Sequence, residues 1–251
     1  MTGTIEFGLN TFGDATNDLD GQPRSHAQVI RDVVEEGVLA EQVGVDAFAV
    51  GEHHRDDFAI STPETVLAAI AARTERIRLG SAVTVLSSDD PVRVFQRFST
   101  VDAISNGRAE VMLGRGSFTE SFPLFGLNLQ DYEVLFEEKL DLFMKIAAGG
   151  PVSWNGTVRG ALNDVIVHPQ LEEGRLRTWA AVGGTPQSVV RAAQYSMPLM
   201  LAIIGGQPER FIPYMDFYRR ATAQLGTTAW PIGMHSPGFI ADTDERAAEQ
   251  Y

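Results

Sequence analysis

The stretch "DAFAVGEHHRDDF", residues 46–58, joins an apolar run to a cluster of polar side chains. Ala47–Val50 is apolar throughout, whereas Gly51 is followed by Glu52, two adjacent histidines and three further charged residues. Strands that are apolar along their whole length are expected in parallel sheets that are buried on both faces. The stretch therefore predicts a buried strand that carries polar side chains to its own carboxyl end.

The same pattern recurs along the chain, because apolar runs alternate with stretches typical of amphipathic helices. The predicted strands cover residues 5–12, 47–52, 77–86, 109–116, 177–184, 197–206 and 230–241, with an irregular stretch around Trp154. Thr62-Pro63 and Asp90-Pro91 each place a capping residue before a proline, as at the start of a helix. Seven such strands are one short of a (β/α)8 TIM barrel. A doubly wound open sheet is the alternative, but "NTFGDATND" lacks its G-x-G-x-x-G fingerprint.

The last residues, "ADTDERAAEQY" (241–251), predict the start of one more helix. Asp242 and Glu245 have the spacing of a capping box, in which two side chains satisfy the first free N–H groups of a helix. An eighth strand and its helix would need further residues. We therefore expect a single α/β barrel domain over residues 1–251 that lacks its C-terminal strand and helix, because the chain is truncated or because that part lies beyond this sequence.

Composition limits the classes of partner. The formal net charge of -13 argues against nucleic acid, since binding a polyanion requires clustered lysine and arginine. The absence of cysteine excludes disulfides and thiolate metal sites and suits a reducing compartment. We expect no secretion signal, because "MTGTIEFGLN" has no basic region and no long apolar run, and no membrane span, because no apolar run approaches roughly 18 residues. These features predict a cytoplasmic protein that binds neither nucleic acid nor a membrane.

Functional groups of a parallel barrel gather at the carboxyl ends of its strands. The fifth predicted strand ends in "AAVGGTPQS", residues 180–188, where Thr185 precedes Pro186 and a second hydroxyl follows at Ser188. Free N–H groups at a helix start and two hydroxyls are suited to a phosphate, although an ordinary tight turn is the alternative. Arg115, flanked by glycines after the fourth strand, is placed to bind phosphate or to pair with a carboxylate.

The adjacent histidines have several interpretations. Consecutive strand residues point to opposite sides, so His53 and His54 are not expected to face the same surroundings. The other histidines are scattered and no H-x-H occurs, so we predict no metal site. A structural pair is possible, but a single catalytic imidazole supported by its neighbour is favoured, because a pKa of about 6.5 allows proton exchange at neutral pH.

Four pieces of the sequence, in order, resemble the luciferase-like flavin monooxygenases, the family of bacterial luciferase. The resemblance covers nearly the whole chain, from "IEFGLN" to at least "HSPGFIADTDE". The best-matched pieces are "GEHHRDDF", "RLGSAVTVLSSDDPVRV", "DAISNGRAEVMLGRGS" and "GGTPQSVVRAAQYSMPLMLAII".

The resemblance implies a TIM barrel that binds flavin mononucleotide (FMN) without a covalent bond. By position, His53 matches the histidine required for luciferase activity, and Ala82-Val83 matches a cis non-proline peptide against the flavin ring. Gly114 replaces a luciferase cysteine, and Glu133 replaces its second phosphate arginine. The implied cofactor-binding residues are Ala82, Val83, Gly114, Arg115, Gly183, Gly184, Thr185 and Ser188.

The chemistry implied by the resemblance is monooxygenation. Reduced FMN, supplied by a separate NAD(P)H:flavin reductase, takes up O2 as a C4a-hydroperoxide that attacks an aldehyde-like molecule, with His53 as acid or base and a homodimer as the expected assembly. A deazaflavin (F420) oxidoreductase and a flavin-binding protein without turnover are the alternatives. Phe118, Phe122 and Phe125 indicate a partly hydrophobic guest or ordinary packing under a loop.

Overall fold

The structure, a computed structural model, describes residues 5–18, 20–116, 118–172, 174–204 and 207–250. The chain divides into two compact units, Met1–Thr178 and Trp179–Tyr251, which are described in turn. Gly205 and Gly206, the predicted end of the sixth strand, lie outside the described residues. No helix in the described part of the chain is long and apolar enough to cross a membrane.

The first unit alternates strands with helices. Its strands are β1 (Gly8–Thr11), β2 (Ala47–Val50), β3 (Arg78–Ser81), β4 (Thr84–Val85), β5 (Ala109–Gly114), β6 (Val152–Trp154) and β7 (Leu162–Val165). Its helices are α1 (His26–Gln42), α2 (Pro63–Ala71), α3 (Pro91–Ser105), α4 (Ser121–Leu124) and α5 (Tyr132–Ala147). A short 3-10 turn at Leu129–Asp131 leads into α5.

The sheet of the first unit is parallel in the order β1–β2–β3–β5, with β4 paired to β5. Val50 pairs in register with Thr11 of β1 and Ser81 of β3. The carboxyl ends of these strands are therefore level, and the residues that follow them meet at one edge of the sheet.

Local sequence accounts for where the helices begin. Asp90 accepts hydrogen bonds from the N–H groups of Val92 and Arg93 at 3.0 and 3.2 Å, which caps α3 as predicted. Thr62 precedes α2, but its side chain caps no N–H within the described residues. There the proline at the first helical position, which lacks an N–H and has a helical φ, provides the start.

The core of the first unit lies between this sheet and its helices. Phe95 of α3 and Phe143 of α5 are buried with ring centroids 6.3 Å apart. On the sheet, Leu79 of β3 and Leu113 of β5 are also buried. Removing a side chain of this size from water stabilises the fold by roughly 1.5–3 kcal/mol, so this packing holds the helices against the sheet.

The second unit has the same alternation. Its elements are β8 (Arg177–Val182, which begins just before the boundary), α6 (Pro186–Gln194), β9 (Leu199–Ala202), α7 (Ile212–Leu225), β10 (Ile232–His235) and α8 (Asp244–Gln250). β9 pairs in parallel with both β8 and β10. Tyr218 of α7 is fully buried and donates its hydroxyl hydrogen to the carbonyl of Met197 at 2.7 Å. This contact fixes α7 against the entry to β9.

Every predicted strand is present, but three local predictions are wrong. The third predicted strand is two strands, β3 and β4, and the cis peptide Ala82–Val83 lies between them. The stretch around Trp154 is an antiparallel hairpin of β6 and β7, not irregular. The last helix begins at Asp244, and Thr243 rather than Asp242 accepts the Arg246 N–H, at 3.2 Å. The capping residue is therefore one position later than predicted.

Candidate active site

The candidate site of the first unit lies where β2, β4 and β5 end. Ala82 and Val83, joined by the cis peptide, follow β3. The N–H of Ala82 donates to the Val50 carbonyl at 2.9 Å, and the N–H of Leu86 donates to the Gly114 carbonyl at 3.1 Å. Backbone hydrogen bonds therefore hold the segment 82–86 between the ends of β2 and β5.

Two glycines allow this close approach. A Cβ added at Gly114 would lie 2.8 Å from Cγ2 of Val83, closer than real side chains pack. A Cβ at Gly51 would lie 2.2 Å from the Phe12 ring and 3.1 Å from the Ala82 carbonyl oxygen. The structure thus brings Gly114 and Val83 together, and the absence of a side chain at Gly114 makes room for Val83.

His53 lies in a wall of aromatic rings. Its ring centroid is 5.0 Å from that of Phe12, 4.4 Å from that of Phe58 and 5.0 Å from that of Phe118. Burial lowers the pKa of His53 below the usual value, and the nearby carboxylates, led by Glu120, only partly oppose this effect. The lowered pKa favours the neutral imidazole, the form that can accept a proton.

His54 has different surroundings and does not contact His53 as a supporting partner. Its Nε2 lies 2.9 Å from Oε1 of Glu52, and its ring meets that of Phe125 edge-on at 5.1 Å. Glu52 is buried, and its second oxygen accepts the Val85 N–H at 2.9 Å. The prediction that one histidine supports the other is replaced by a link from His54 through Glu52 to the segment after the cis peptide.

Arg115 takes the carboxylate alternative. Its Nη1 lies 2.5 Å from Oε1 of Glu133, and its guanidinium lies 5.3 Å from the centroid of the Tyr132 ring. Glu133, which stands where the resemblance implies a second phosphate arginine, thus pairs with the remaining cation. The positive charge of Arg115 is thus already balanced within the first unit.

A cluster of charged residues, of which Glu64 and Lys139 are buried, supports the segment that follows β4. Arg97 of α3 pairs with Glu64 at 2.7 Å and also with Asp89. Lys139 of α5 is buried and donates to the Ser87 carbonyl at 2.6 Å. Burial raises the pKa of Glu64 and of Asp89 and lowers that of Lys139. Each carboxylate faces a cation, so this cluster is one of charge compensation.

The predicted phosphate turn belongs to the second unit. Gly183 and Gly184 follow β8, and Gly184 has a φ of 126°, which favours glycine. The hydroxyl oxygens of Thr185 and Ser188 are 2.8 Å apart, and the Thr185 side chain caps no helix N–H among the described residues. The start of α6 therefore carries two hydroxyls and N–H groups that the Thr185 side chain does not occupy, as an anion site requires.

Sequence reasoning missed several residues of both regions. Tyr214 of α7 donates to the Gly184 carbonyl at 2.6 Å and so fixes the turn. Phe12 and Phe58 flank His53 from separate loops, a contact that no spacing in the sequence predicts. The structural role of Glu52 had a signal, because a carboxylate directly after a buried strand must find partners.

Comparison with known proteins gives the family and fold. The model for the luciferase-like monooxygenase family matches residues 5–251. The alkanal monooxygenase alpha chain of Photobacterium leiognathi is 26% identical over 203 residues, 80% of this chain and 56% of that protein. An uncharacterized protein, y4wF, of Sinorhizobium fredii is 30% identical over 178 residues, 70% of this chain and 51% of that protein. This chain thus spans about half the length of these curated relatives.

Solved structures with a similar fold include several monooxygenases. Monooxygenase RslO1 from Streptomyces bottropensis superposes with a TM-score of 0.87 at 24% identity, over 98% of this chain and 75% of that one. The oxygenating constituent of 3,6-diketocamphane monooxygenase from Pseudomonas putida, solved with FMN, has a TM-score of 0.80 at 19% identity. The match covers 98% of this chain and 71% of that one. An F420-dependent secondary alcohol dehydrogenase, solved with an F420–acetone adduct, has a TM-score of 0.75 at 16% identity. The match covers 92% of this chain and 68% of that one.

These likenesses confirm the predicted fold class, an α/β fold of the luciferase-like TIM-barrel type. The family match covers almost every residue of the chain, including the segments around His53, Ala82–Val83 and Thr185. The chain belongs to the luciferase-like monooxygenase family.

Proposed function

We propose that this chain is an FMN-dependent monooxygenase that uses reduced flavin and O2 to oxidise a small, aldehyde-like organic molecule. The observation that carries the proposal is His53, a half-buried imidazole in an aromatic wall at the strand ends of a luciferase-like fold. In this proposal residues 1–251 form one cytoplasmic domain, which works as a homodimer and receives flavin from a separate reductase.

Each unit, taken by itself, has residues that suit one part of a phosphorylated, flat ring system. At Gly183, Gly184, Thr185 and Ser188, the hydroxyl pair and the start of α6 supply hydrogen-bond donors for a phosphate. The segment Ala82–Val83 lies against Gly114, a position where a side chain would collide with Val83. We assign the first group to the FMN phosphate and the second to the flavin ring.

Arg115 has a reduced role in this proposal. Because Glu133 already neutralises it, phosphate binding depends mainly on backbone N–H groups and hydroxyls. Such a site holds FMN weakly. Weak binding agrees with a flavin that is reduced on another protein and diffuses in as a substrate.

Bound reduced FMN would supply the electrons and the activation of O2, which no side chain provides. The chain contributes proton transfer and water exclusion. His53 is neutral and accepts or returns a proton, while Phe12 and Phe58 keep water from its ring. Phe118 is 37% exposed, so it offers an apolar surface beside His53 to a substrate chain. Phe122, by contrast, is buried and belongs to the packing.

The test is a titration of the purified protein with FMN, followed by O2 consumption with reduced FMN and a series of aldehydes. We expect binding, substrate-dependent O2 uptake, and a loss of at least about a hundredfold in the rate for His53→Ala, the usual scale for removing an acid–base group. A fully active His53→Ala variant would refute the role of His53. Binding without substrate-dependent O2 uptake would favour a flavin-binding protein without turnover.

F420-dependent hydride transfer is the second candidate, because a structural neighbour carries F420 on the same fold. That chemistry needs no O2. Parallel titrations of FMN and F420, followed through the fluorescence of the three tryptophans, would rank the cofactors. Tighter binding of F420, with activity in the absence of O2, would replace the monooxygenase proposal.

A further inference from the structure

Glu52 joins two segments of the first unit that are separate in sequence. It is 8% exposed, and each carboxylate oxygen has its own partner. Oε1 lies 2.9 Å from Nε2 of His54, and Oε2 accepts the Val85 N–H at 2.9 Å. Val85 follows the cis peptide by two residues. The Glu52 side chain therefore contacts both His54 and the segment 82–85.

The chemistry of a carboxylate restricts the histidine. An ionised carboxylate only accepts hydrogen bonds, so the hydrogen between Glu52 and His54 must be on Nε2 of the imidazole. The other ring nitrogen, Nδ1, is then not engaged by Glu52. The edge-on contact with Phe125 at 5.1 Å restricts rotation of the same ring.

We propose that Glu52 is a positioning residue of the active site, which fixes His54 in its Nε2–H form and holds the segment 82–85 in place. The role of that segment in carrying flavin rests on the proposed function. The role of Glu52 toward His54 does not depend on it.

Other buried carboxylates nearby have a different role. Glu64 is as buried as Glu52, but it faces the guanidinium of Arg97, an arrangement that compensates charge. Glu52 instead faces an imidazole and a neutral backbone N–H. Burying a carboxylate costs free energy of desolvation. For Glu52, the contact with His54 gives this burial a function, because it determines which ring nitrogen carries the hydrogen.

The first experiment reads the imidazole directly, without any flavin. Proton–nitrogen NMR of protein labelled at its five histidines, at about pH 8, reports which nitrogen carries hydrogen. His54→Gln assigns the signal. We expect Nε2 of His54 to be protonated in the unmodified protein. An Nε2 without hydrogen there would overturn the proposal, and this measurement needs no variant of Glu52 to fold.

Glu52→Gln sharpens the same measurement. The amide oxygen can keep the Val85 hydrogen bond, but the amide NH2 then donates to His54, so we expect the ring to switch to its Nδ1–H form. Glu64→Gln is the matched control, which removes an equally buried charge and leaves the His54 signal unchanged. A ring that stays in the Nε2–H form in folded Glu52→Gln would contradict the proposal.

The second experiment measures FMN affinity by quenching of flavin fluorescence. We expect about tenfold weaker binding for Glu52→Ala, which removes the acceptor of the Val85 N–H that Glu52→Gln keeps, and little change for the matched control Glu64→Ala. Equal affinity of Glu52→Ala and the unmodified protein would refute the role of Glu52 in holding the segment 82–85. If the unmodified protein binds no flavin, the proposed function fails, while the NMR result still decides whether Glu52 fixes His54.

Discussion

The end of β2 and the turn after β8 both begin with a glycine after a strand, but different interactions stabilise them. After β2, Glu52, His53 and His54 are enclosed by aromatic rings and a buried carboxylate. After β8, Thr185 is exposed, and its hydroxyl bonds mainly to Ser188. The first region is thus fixed by packing with its neighbours, whereas the second is shaped by its own backbone and keeps donors available for a ligand. Substitutions should therefore cost stability in the first region and anion affinity in the second.

A pair of glycine substitutions tests this contrast most strongly. A Cβ at Gly114 would meet Val83 at 2.8 Å, whereas a Cβ at Gly183 would meet no atom of the described residues within 4 Å. We expect Gly114→Ala to lower the free energy of unfolding by about 1–3 kcal/mol, the usual cost of overpacking. Urea denaturation measures the change.

Gly183→Ala is the matched control and should leave the urea midpoint nearly unchanged, since exposed positions without close contacts tolerate substitution. Val83→Ala should partly restore stability to Gly114→Ala, because it removes the colliding methyl groups. Equal destabilisation by the two glycine variants would contradict the assignment of packing to the first region and openness to the second.

The hydroxyls of the second region give the next largest effect. Replacing both Thr185 and Ser188 by alanine should weaken FMN binding by about tenfold, as hydrogen bonds to a charged group are worth roughly 1.5–3 kcal/mol. Riboflavin, which lacks the phosphate, is the matched ligand, and its affinity should not change. Calorimetry measures the affinity of the variant and of the unmodified protein for both flavins. An equal loss for FMN and riboflavin would mean that these hydroxyls do not bind the phosphate.

The burial of His53 predicts a pH effect of intermediate size. Its pKa is lowered by burial in the folded state, so the unfolded chain binds more protons just below pH 6.5. Its contribution to stability is complete above about pH 6.5 and is lost as the pH falls toward the folded-state pKa.

Urea midpoints at about pH 7.5 and about pH 5.5 measure this loss, since these values bracket the usual imidazole pKa. His53→Gln removes the part of the decline that belongs to this ring. Burial also lowers the pKa of His235 in the second unit, so a smaller decline should remain in the variant. A decline identical in the variant and the unmodified protein would show that His53 does not titrate on folding.

The same contrast explains what the sequence could predict. The positions of strands and of helix starts along the chain depend on neighbours in sequence. The strand ending at Val50 and the helix start after Thr185 could therefore be predicted. Partners distant in sequence were not: Phe12 and Phe58 meet His53 only after the loops fold, and Tyr214 reaches Gly184 from another helix. The choice of Glu133 as the partner of Arg115 was likewise open, because a guanidinium suits a phosphate and a carboxylate equally.

Glu133→Gln gives the smallest expected effect and tests the reduced role of Arg115. The pair is largely exposed on the Glu133 side, so its loss should change the free energy of unfolding by at most about 1 kcal/mol. If neutralisation of Arg115 is what weakens phosphate binding, freeing it should tighten FMN binding by about two- to threefold, an effect that salt reduces. Glu137→Gln, on the same helix, is the control for net charge. Tightening of similar size in both variants would show a general loss of negative charge rather than a released Arg115, and the phosphate would then depend on the second unit's turn alone.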